Sequence, residues 1–406
     1  MSIIIPLALI LLTCLVIWRA CDGFEIASEY LGRNLSEGVR GGTINAISSS
    51  IPELLTTVIA LCFLADEDGF AMGLGTTAGS ALFNGMVIPS ACILAVIGSV
   101  IAGHRVTSVD VSSKVIWRDG VALVACEIAV YFLLSRTELD WWQGLVLMLM
   151  YLAYLAYMLL SMKRPVESPD PAEEDESENN CKSEVTSPTG AIHGLIYWLS
   201  FGPLLDLDRA FVRPKHQQRM VSETWNAFPL LITATSVIGA ACYVLVMACE
   251  TLGREINMPS IFVAVIFASM ATSVPDTVMS IRDARDGDYD DAVANALGSN
   301  LFNIGFALGF PLFLYTLISG PITLEDQVRR HTAQILLILL ILTALGFLAY
   351  LFGGRGTKDD GTRFIRMTRT NALMLLGLYG FFMAYVVGTV AEWDWAVAIS
   401  AALTFN

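Results

Sequence analysis

Charged residues are scarce in this chain. They make up 15% of its 406 residues, whereas hydrophobic residues make up 55%, and a soluble domain carries about 25% charged residues. The mean hydropathy is +0.62. This shortage of charge excludes an ordinary soluble domain and indicates a protein with several membrane-spanning segments.

The cysteines and histidines form no metal or redox pattern. None of the eight cysteines stands in a Cys-x-x-Cys pair, and seven lie in or beside apolar runs, as buried hydrophobic cysteines do. The four histidines are scattered, without a His-Glu-x-x-His pattern. A disulfide framework, a zinc site and a membrane-embedded enzyme are therefore disfavoured, and we expect no cofactor.

The net charge of -14 is unevenly distributed. Residues 165–190 are rich in Pro, Ser, Glu and Asp, a composition typical of disorder. Residues 191–213 combine aromatic and apolar residues with a basic end, which predicts a segment lying on the membrane face. No basic patch with interleaved aromatic residues occurs, so nucleic acid is not an expected partner.

Ten stretches are long and apolar enough to cross a bilayer, which takes about 20 residues of helix. The first lacks a basic leader region and a clear cleavage site, so we interpret it as a retained span and not as a signal peptide. The predicted spans are 3–21, 41–64, 71–102, 119–135, 141–162, 224–249, 258–281, 291–319, 332–353 and 371–391.

The basic residues predict how the spans are oriented. If the N-terminus faces outward, only Arg136, Arg254, Arg329 and Arg330 of the 24 Lys and Arg residues lie in outside segments. The positive-inside rule favours this orientation. It places both termini outside and the linker in the cytoplasm, in a plasma membrane or a bacterial inner membrane.

The two groups of five spans are predicted to be inverted repeats, because an odd number of spans makes the second half enter the membrane from the opposite side. Sequence blocks recur at nearly constant offsets: 29–33 matches 250–254 at 221, Pro52 matches Pro275 at 223, and 79–80 matches 298–299 at 219. We therefore predict an all-α membrane protein with a first transmembrane repeat (1–162), a linker (163–223) and a second transmembrane repeat (224–406).

One motif occurs in each half. Ser49-Ser50-Ile51-Pro52-Glu53 is followed by Gly-Ser-Ala-Leu-Phe-Asn at 79–84, and Thr272-Ser273-Val274-Pro275-Asp276 by Gly-Ser-Asn-Leu-Phe-Asn at 298–303. Each copy has one carboxylate beside a proline in an apolar stretch. A charge within a membrane is expensive and points to function. The duplication predicts one cation site assembled from two related halves.

The motif is rich in hard oxygen atoms. Pro52 and Pro275 lack an N–H and so free the carbonyl four residues earlier. These carbonyls, the hydroxyls of Ser49, Ser50, Thr272 and Ser273, and the carboxylates of Glu53 and Asp276 suit sodium or calcium. Ser80 with Asn84, and Ser299 with Asn303, share a helix face and add oxygens, although Ser80 and Ser299 could equally join helix to helix.

The two carboxylates also constrain the mechanism. One divalent cation neutralises Glu53 and Asp276, and so would two sodium ions or two protons. A site that must stay neutral can exchange one of these sets of ions for another. Competition for shared carboxylates is the simplest way to couple two opposite ion movements.

These motifs resemble those of the cation/calcium antiporter superfamily, which includes the sodium/calcium exchangers. The family's two repeats read roughly G-[ST]-S-x-P-[ED] and G-S-[NA]-x-x-[ND]. Gly-Ser-Ala in the first repeat and Pro-Asp in the second are similar to the potassium-dependent branch. That branch usually ends its second motif with Asp, where this chain has Asn303. The missing charge predicts exchange of calcium for sodium without a potassium requirement.

The resemblance implies roles for the residues that match its motifs. Glu53 and Asp276 would be the central calcium ligands, and the first and sixth spans would slide to alternate access. The partners would be the transported calcium and sodium ions and the bilayer, and we expect a monomer. The remaining implied ligands are Ser49, Ser50, Thr272, Ser273, Ser80, Asn84, Ser299 and Asn303, with the carbonyls of Ala46 and Ser269 for sodium.

Two other functions remain open from the sequence. The nearest is a calcium/proton exchanger on the same fold, because carboxylates can titrate. A cation channel or sensor is the second, although inverted repeats favour alternating access.

Overall fold

The computed structural model of the chain describes residues 3–32, 41–101, 104–161, 207, 224–357 and 361–403. These residues are mostly helical. The predicted disorder over 165–190 and the predicted membrane-surface segment over 191–213, apart from Leu207, lie outside the described residues.

The first half contains seven α-helices, two π-helical turns and four short strands among its described residues. In order they are α1 (Ile4–Gly32), a π-turn (Gly41–Asn45), α2 (Ala46–Ser49), α3 (Ile51–Phe63), α4 (Asp66–Leu82), a π-turn (Phe83–Val87), α5 (Ile88–Val96), β1 (Val100–Ile101), β2 (His104–Arg105), β3 (Val109–Ser112), α6 (Ser113–Leu134), β4 (Glu138–Leu139) and α7 (Trp141–Leu160).

The described part of the second half repeats much of this order. It contains α8 (Thr224–Ile256), α9 (Ser260–Val263), a π-turn (Ala264–Ala268), α10 (Ser269–Thr272), α11 (Val274–Asp286), α12 (Tyr289–Leu301), a π-turn (Phe302–Ala307), α13 (Leu308–Ser319), β5 (Ile322–Thr323), α14 (Asp326–Leu351), β6 (Gly354–Thr357), β7 (Arg363–Met367), α15 (Arg369–Val390) and α16 (Asp394–Leu403).

The predicted proline breaks are present in both halves. The helix pair Gly42–Ser49 and Ile51–Phe63 bends by 46°, and the pair Ser260–Thr272 and Val274–Asp286 bends by 42°. Ser50 and Ser273 occupy the same position in the two breaks, with backbone angles near φ -97°, ψ 7° and φ -85°, ψ 1°. A proline in the next turn cannot continue the helical hydrogen bonds, so the bend falls at this position.

The number of spans differs from the prediction of ten. Seven described helices are long and apolar enough to cross a membrane, and nine if each bent pair counts as one. The predicted span 119–135 does form a helix, α6, but this helix carries Lys114, Arg118, Asp119 and Glu127. Because α6 contains more charged residues than most membrane spans, its composition does not identify it as a candidate span. Its crossing, and the inversion of the repeats, stay predictions.

The expectation of an all-α chain missed short strands in the loops. β3 pairs with β7 in antiparallel register, Val109 opposite Met367, and β7 also pairs with β6. β4 pairs with β5, with Leu139 opposite Ile322. Both β3–β7 and β4–β5 join the first half of the chain to the second, so these strands fasten the two halves at their loops.

Several large apolar side chains are exposed on the surface of the helix bundle. Leu160, Ile318 and Phe352 are 86%, 75% and 80% exposed. Exposed apolar side chains on this scale are expected to face lipid. Inside the bundle α1 packs along α8, and the bent helices pack against α4 and α12. This interior contains most of the buried polar residues described below.

Candidate cation site

Glu53 and Asp276 lie at corresponding positions, one residue after each proline. Glu53 is in the first turn of α3 and Asp276 in the first turn of α11. Both side chains are completely buried. The free N–H groups and the dipole at a helix N-terminus favour a negative charge there, so each bend provides a partly compensated position for a carboxylate inside the bundle.

The same hydrogen bond holds both carboxylates. The Ser80 hydroxyl donates to Glu53 Oε1 at 2.9 Å, and the Ser299 hydroxyl donates to Asp276 Oδ1 at 2.9 Å. A hydrogen bond to an ionised oxygen is stronger than one between neutral groups. The duplicated sequence therefore produces a duplicated contact between each bent helix and the helix that follows it.

Other contacts cross from one repeat to the other. The amide nitrogen of Asn84 donates to Asp276 Oδ2 at 2.7 Å, and the amide nitrogen of Asn303 donates to Ser80 Oγ at 3.1 Å. The hydroxyls of Ser80 and Ser273 are 2.8 Å apart. Each repeat thus contributes polar atoms to the other repeat's carboxylate region, and the structure brings the two motifs together at one place.

One helix fixes the spacing of the two carboxylates. Ser80 binds Glu53, and Asn84, four residues later, binds Asp276. Four residues of helix rise about 6 Å. The carboxylates therefore contact residues one turn apart, at the end of α4 and in the π-turn that continues it.

The motif glycines allow this close approach. A Cβ atom at Gly79 would lie 2.7 Å from Ser269 Oγ and 2.8 Å from the Val265 carbonyl oxygen. A Cβ atom at Gly298 would lie 2.8 Å from the Gly42 carbonyl oxygen. In each case the glycine faces the bent helix of the other repeat, so the small residue is required by helix packing.

Several oxygens in the site lack a hydrogen-bond partner within the described structure. They are Ser50 Oγ, Glu53 Oε2, Asn84 Oδ1 and Asn303 Oδ1, and all four are buried. A buried polar atom without a partner is rare in proteins because it loses its bond to water. Carboxylate, amide and hydroxyl oxygens are ligands for calcium, so a bound cation would satisfy these atoms.

The other predicted ligands are also buried around this region. Ser49 donates to the Asn45 carbonyl at 2.9 Å, and Thr272 donates to the Ser269 carbonyl at 3.2 Å. Ala46, Ser49, Ser269, Thr272 and Ser273 are each at most 1% exposed. Because these hydroxyls donate to the backbone, their lone pairs remain available to a cation. Whether each residue binds an ion stays a prediction.

Sequence reasoning missed Asn295. This residue is completely buried; its amide nitrogen donates to Ser280 Oγ at 2.9 Å, and its Oδ1 is 3.4 Å from Ser49 Oγ. A signal was available, because Asn295, Ser299 and Asn303 recur every four residues along one helix face. The motif begins at Gly298 and therefore does not include Asn295.

Comparisons with known proteins match most of the chain. Residues 5–160 and 226–388 match the family described as "Sodium/calcium exchanger protein". The human "Sodium/potassium/calcium exchanger 5" is 26% identical over 87% of this chain and 79% of its own length.

Two solved structures share the fold. A structure of the sodium-calcium exchanger NCX_Mj superposes with a TM-score of 0.53 at 18% identity, covering 94% of this chain and 98% of that one. The H+/Ca2+ exchanger CAX superposes with a TM-score of 0.60 at 12% identity, covering 98% and 83%.

Proposed function

The chain belongs to the sodium/calcium exchanger protein family, and on this premise we propose that it exchanges calcium for sodium by alternating access. It is an integral, multi-pass membrane protein of the cation/calcium antiporter superfamily, and its relatives are ion exchangers, not enzymes. The identity of the exchanged ions, calcium and sodium, is the part that we propose.

The observation that carries the proposal is the buried carboxylate pair, one on each bent helix, whose hydrogen-bond partners Ser80 and Asn84 are four residues apart. Glu53 and Asp276 are both completely buried, and oxygens beside them lack hydrogen-bond partners in the described structure. Hydrogen bonds and helix N-termini compensate these two negative charges only in part, and net charge in a low-dielectric interior is strongly unfavourable. One calcium ion or two sodium ions would neutralise them. Releasing one kind of ion without binding the other would leave the site charged, so the site favours exchange of calcium for sodium.

Alternating access follows from the burial of the site. The proposed ligands are closed off from solvent in this conformation, so ions can enter only after the helices around them move. We assign this movement to α1 and α8, the first and sixth predicted spans, which pack along each other and against the bent helices. Their sliding would open the site to one side of the membrane at a time.

Proton-coupled calcium exchange is the second candidate. The fold likeness to the H+/Ca2+ exchanger CAX supports keeping it, because both kinds of exchanger fit the same architecture. We rank it second because Asn84 Oδ1 and Asn303 Oδ1 are buried without a hydrogen-bond partner among the described residues, and a proton does not need such additional oxygen ligands.

Potassium is not expected to be required. The Asn84 and Asn303 amides are uncharged, so the motif residues contribute two negative charges, those of Glu53 and Asp276. A calcium ion already neutralises both. A co-transported potassium ion would add a positive charge without a matching carboxylate.

The test is calcium uptake into proteoliposomes under one imposed gradient at a time. We expect an outward sodium gradient to drive ⁴⁵Ca uptake, a pH gradient alone to drive none, and removal of potassium from both faces to leave the rate unchanged. Uptake driven by the pH gradient without sodium would assign the proton mechanism. Uptake that stops without potassium would overturn the potassium proposal alone.

A further inference from the structure

A polar stripe runs through the second repeat beyond its motif. Asn295, Ser299 and Asn303 lie at spacings of four residues, and the offset of 219 pairs them with Thr76, Ser80 and Asn84. The second and third members of each stripe belong to the proposed site. The first members differ in chemistry, because an amide in one repeat replaces a hydroxyl in the other.

Thr76 and Asn295 are used differently. Thr76 donates to the Met72 carbonyl of its own helix at 2.9 Å. Asn295 instead lies between the two repeats: its amide nitrogen donates to Ser280, and its Oδ1 is directed at Ser49 of the first repeat. Ser280 thereby fixes the amide so that the oxygen, and not the nitrogen, faces the site.

The oxygens around Asn295 are spaced too widely for good hydrogen bonds. Asn295 Oδ1 is 3.4 Å from Ser49 Oγ, which is 3.5 Å from Ser299 Oγ and 3.4 Å from the Ala46 carbonyl oxygen. Ser299 Oγ is 3.5 Å from the same carbonyl oxygen. Hydrogen bonds between oxygens are usually about 2.7–2.8 Å long, so these contacts are long: Ser49, Ser299 and the Ala46 carbonyl form an open triangle of oxygens, and Asn295 Oδ1 lies beside its Ser49 corner.

Their spacing is that of a ligand shell. Calcium–oxygen bonds are about 2.3–2.6 Å long, and two ligands at right angles are then about 3.3–3.7 Å apart. Sodium has nearly the same ionic radius. The four contacts among Asn295, Ser49, Ser299 and Ala46 all fall within that interval.

The charge of this group favours a monovalent ion. Its four oxygens are neutral, and the carboxylate in contact with it is Asp276, whose Oδ1 accepts from Ser299 at 2.9 Å. One carboxylate neutralises one sodium ion, whereas calcium would leave a net positive charge in a buried site. Calcium is better placed where it contacts both Glu53 and Asp276.

We propose that Asn295 is a sodium ligand, completing a subsite with Ser49, Ser299 and the Ala46 carbonyl that has no equivalent amide at Thr76. This proposal rests on the proposed function. It makes the two sides of the duplicated site unequal, because the amide oxygen is present on one side alone.

The experiment compares Asn295→Leu with the matched variant Thr76→Val in proteoliposomes. Both replace a polar side chain by an apolar one of similar size at corresponding positions. We expect Asn295→Leu to raise the sodium concentration for half-maximal calcium release about fivefold to tenfold, with less than a twofold change in the calcium concentration for half-maximal uptake. Thr76→Val is expected to leave both values within twofold, because Thr76 donates to its own helix.

A second variant tests the assignment even if Asn295→Leu does not fold. Asn295→Asp keeps the oxygen and adds a charge, so we expect its half-maximal sodium concentration to stay level or fall. A rise in Asn295→Asp, or unchanged sodium dependence in a folded Asn295→Leu, would overturn the assignment of Asn295. Absence of sodium-driven uptake in the unsubstituted protein would instead overturn the proposed function.

Discussion

Glu53 and Asp276 occupy corresponding positions but do not have the same neighbours. Asp276 accepts from Ser299 and Asn84 on its two oxygens, whereas Glu53 Oε2 has no partner among the described residues. Asn303, the counterpart of Asn84, reaches Ser80 instead of the carboxylate. The glutamate therefore has the more available oxygen for an incoming ion.

Removing either charge is expected to stop calcium transport. Glu53→Gln and Asp276→Asn keep the size of the side chain and can still accept from Ser80 or Ser299. With one carboxylate left, a buried calcium ion is under-neutralised by a full charge, and we expect calcium affinity to fall at least about 100-fold, or about 3 kcal/mol.

The loss of calcium affinity is measured by the rise in Tm that calcium causes in each purified variant. The rise is expected to disappear in both variants while the Tm without calcium stays level or increases, because a buried charge has been removed. A variant that keeps a normal calcium-induced rise would show that its carboxylate is not a calcium ligand. Ser90→Ala, a change at a buried hydroxyl bonded to the Met86 and Ala372 carbonyls, serves as the control.

At the scale of secondary-structure elements, the site depends on how closely the bent helices approach α4 and α12. Gly79 and Gly298 permit the approach, since any side chain would meet backbone or side-chain atoms within 3 Å. The π-turns at Gly41–Asn45 and Ala264–Ala268 precede the breaks in both halves. π-turns often occur at functional positions, where they adjust the direction of neighbouring side chains.

Alanine at Gly79 or Gly298 is expected to push the repeats apart. Overpacking of this kind usually costs about 1–3 kcal/mol, so we expect a lower Tm and loss of sodium-driven calcium uptake. The matched control is Gly377→Ala in α15, where nothing lies within 4 Å of the added carbon. Because alanine favours helix over glycine by about 1 kcal/mol, the control is expected to keep or raise its Tm. Equal behaviour of Gly79→Ala and Gly377→Ala would contradict the packing argument.

At the scale of the whole molecule, neither half can form the site alone. Asn84 of the first repeat binds Asp276 of the second, and Asn303 of the second binds Ser80 of the first. The loop strands β3–β7 and β4–β5 join the same two halves away from the site. A shared site between two related bodies is suited to transport, because relative movement of the bodies changes access without dismantling either one.

The predicted orientation places both termini outside and the linker in the cytoplasm. Epitope tags at each terminus are expected to be detected on intact cells. A protease site inserted within 165–190 is expected to be cut only after permeabilisation, because the positive-inside rule retains the basic loops on the linker's side. Cleavage of the linker site on intact cells would reverse the predicted topology. Termini on opposite sides would indicate an odd number of spans, and α6 would then be the first helix to question.

The sequence by itself determined the local features of this protein. Proline at 52 and 275 predicts a bend because the lost hydrogen bond lies within one turn, and both bends are present. The lengths of the apolar runs predict helices. Most of the predicted spans correspond to helices that are long and apolar enough to cross a membrane. The Gly-Ser blocks recur in both halves, and both of their glycines, Gly79 and Gly298, lie at close helix contacts.

Only the tertiary structure decided which polar atoms meet. Asn84 and Asp276 are 192 residues apart in sequence, and Ser49 and Asn295 are 246 apart. Contacts at such separations depend on how the two repeats pack, which no local pattern specifies. The inequality of Glu53 and Asp276, the strands that join the loops and the position of Asn295 all arise in this way, since the same motif acquires different neighbours in each half.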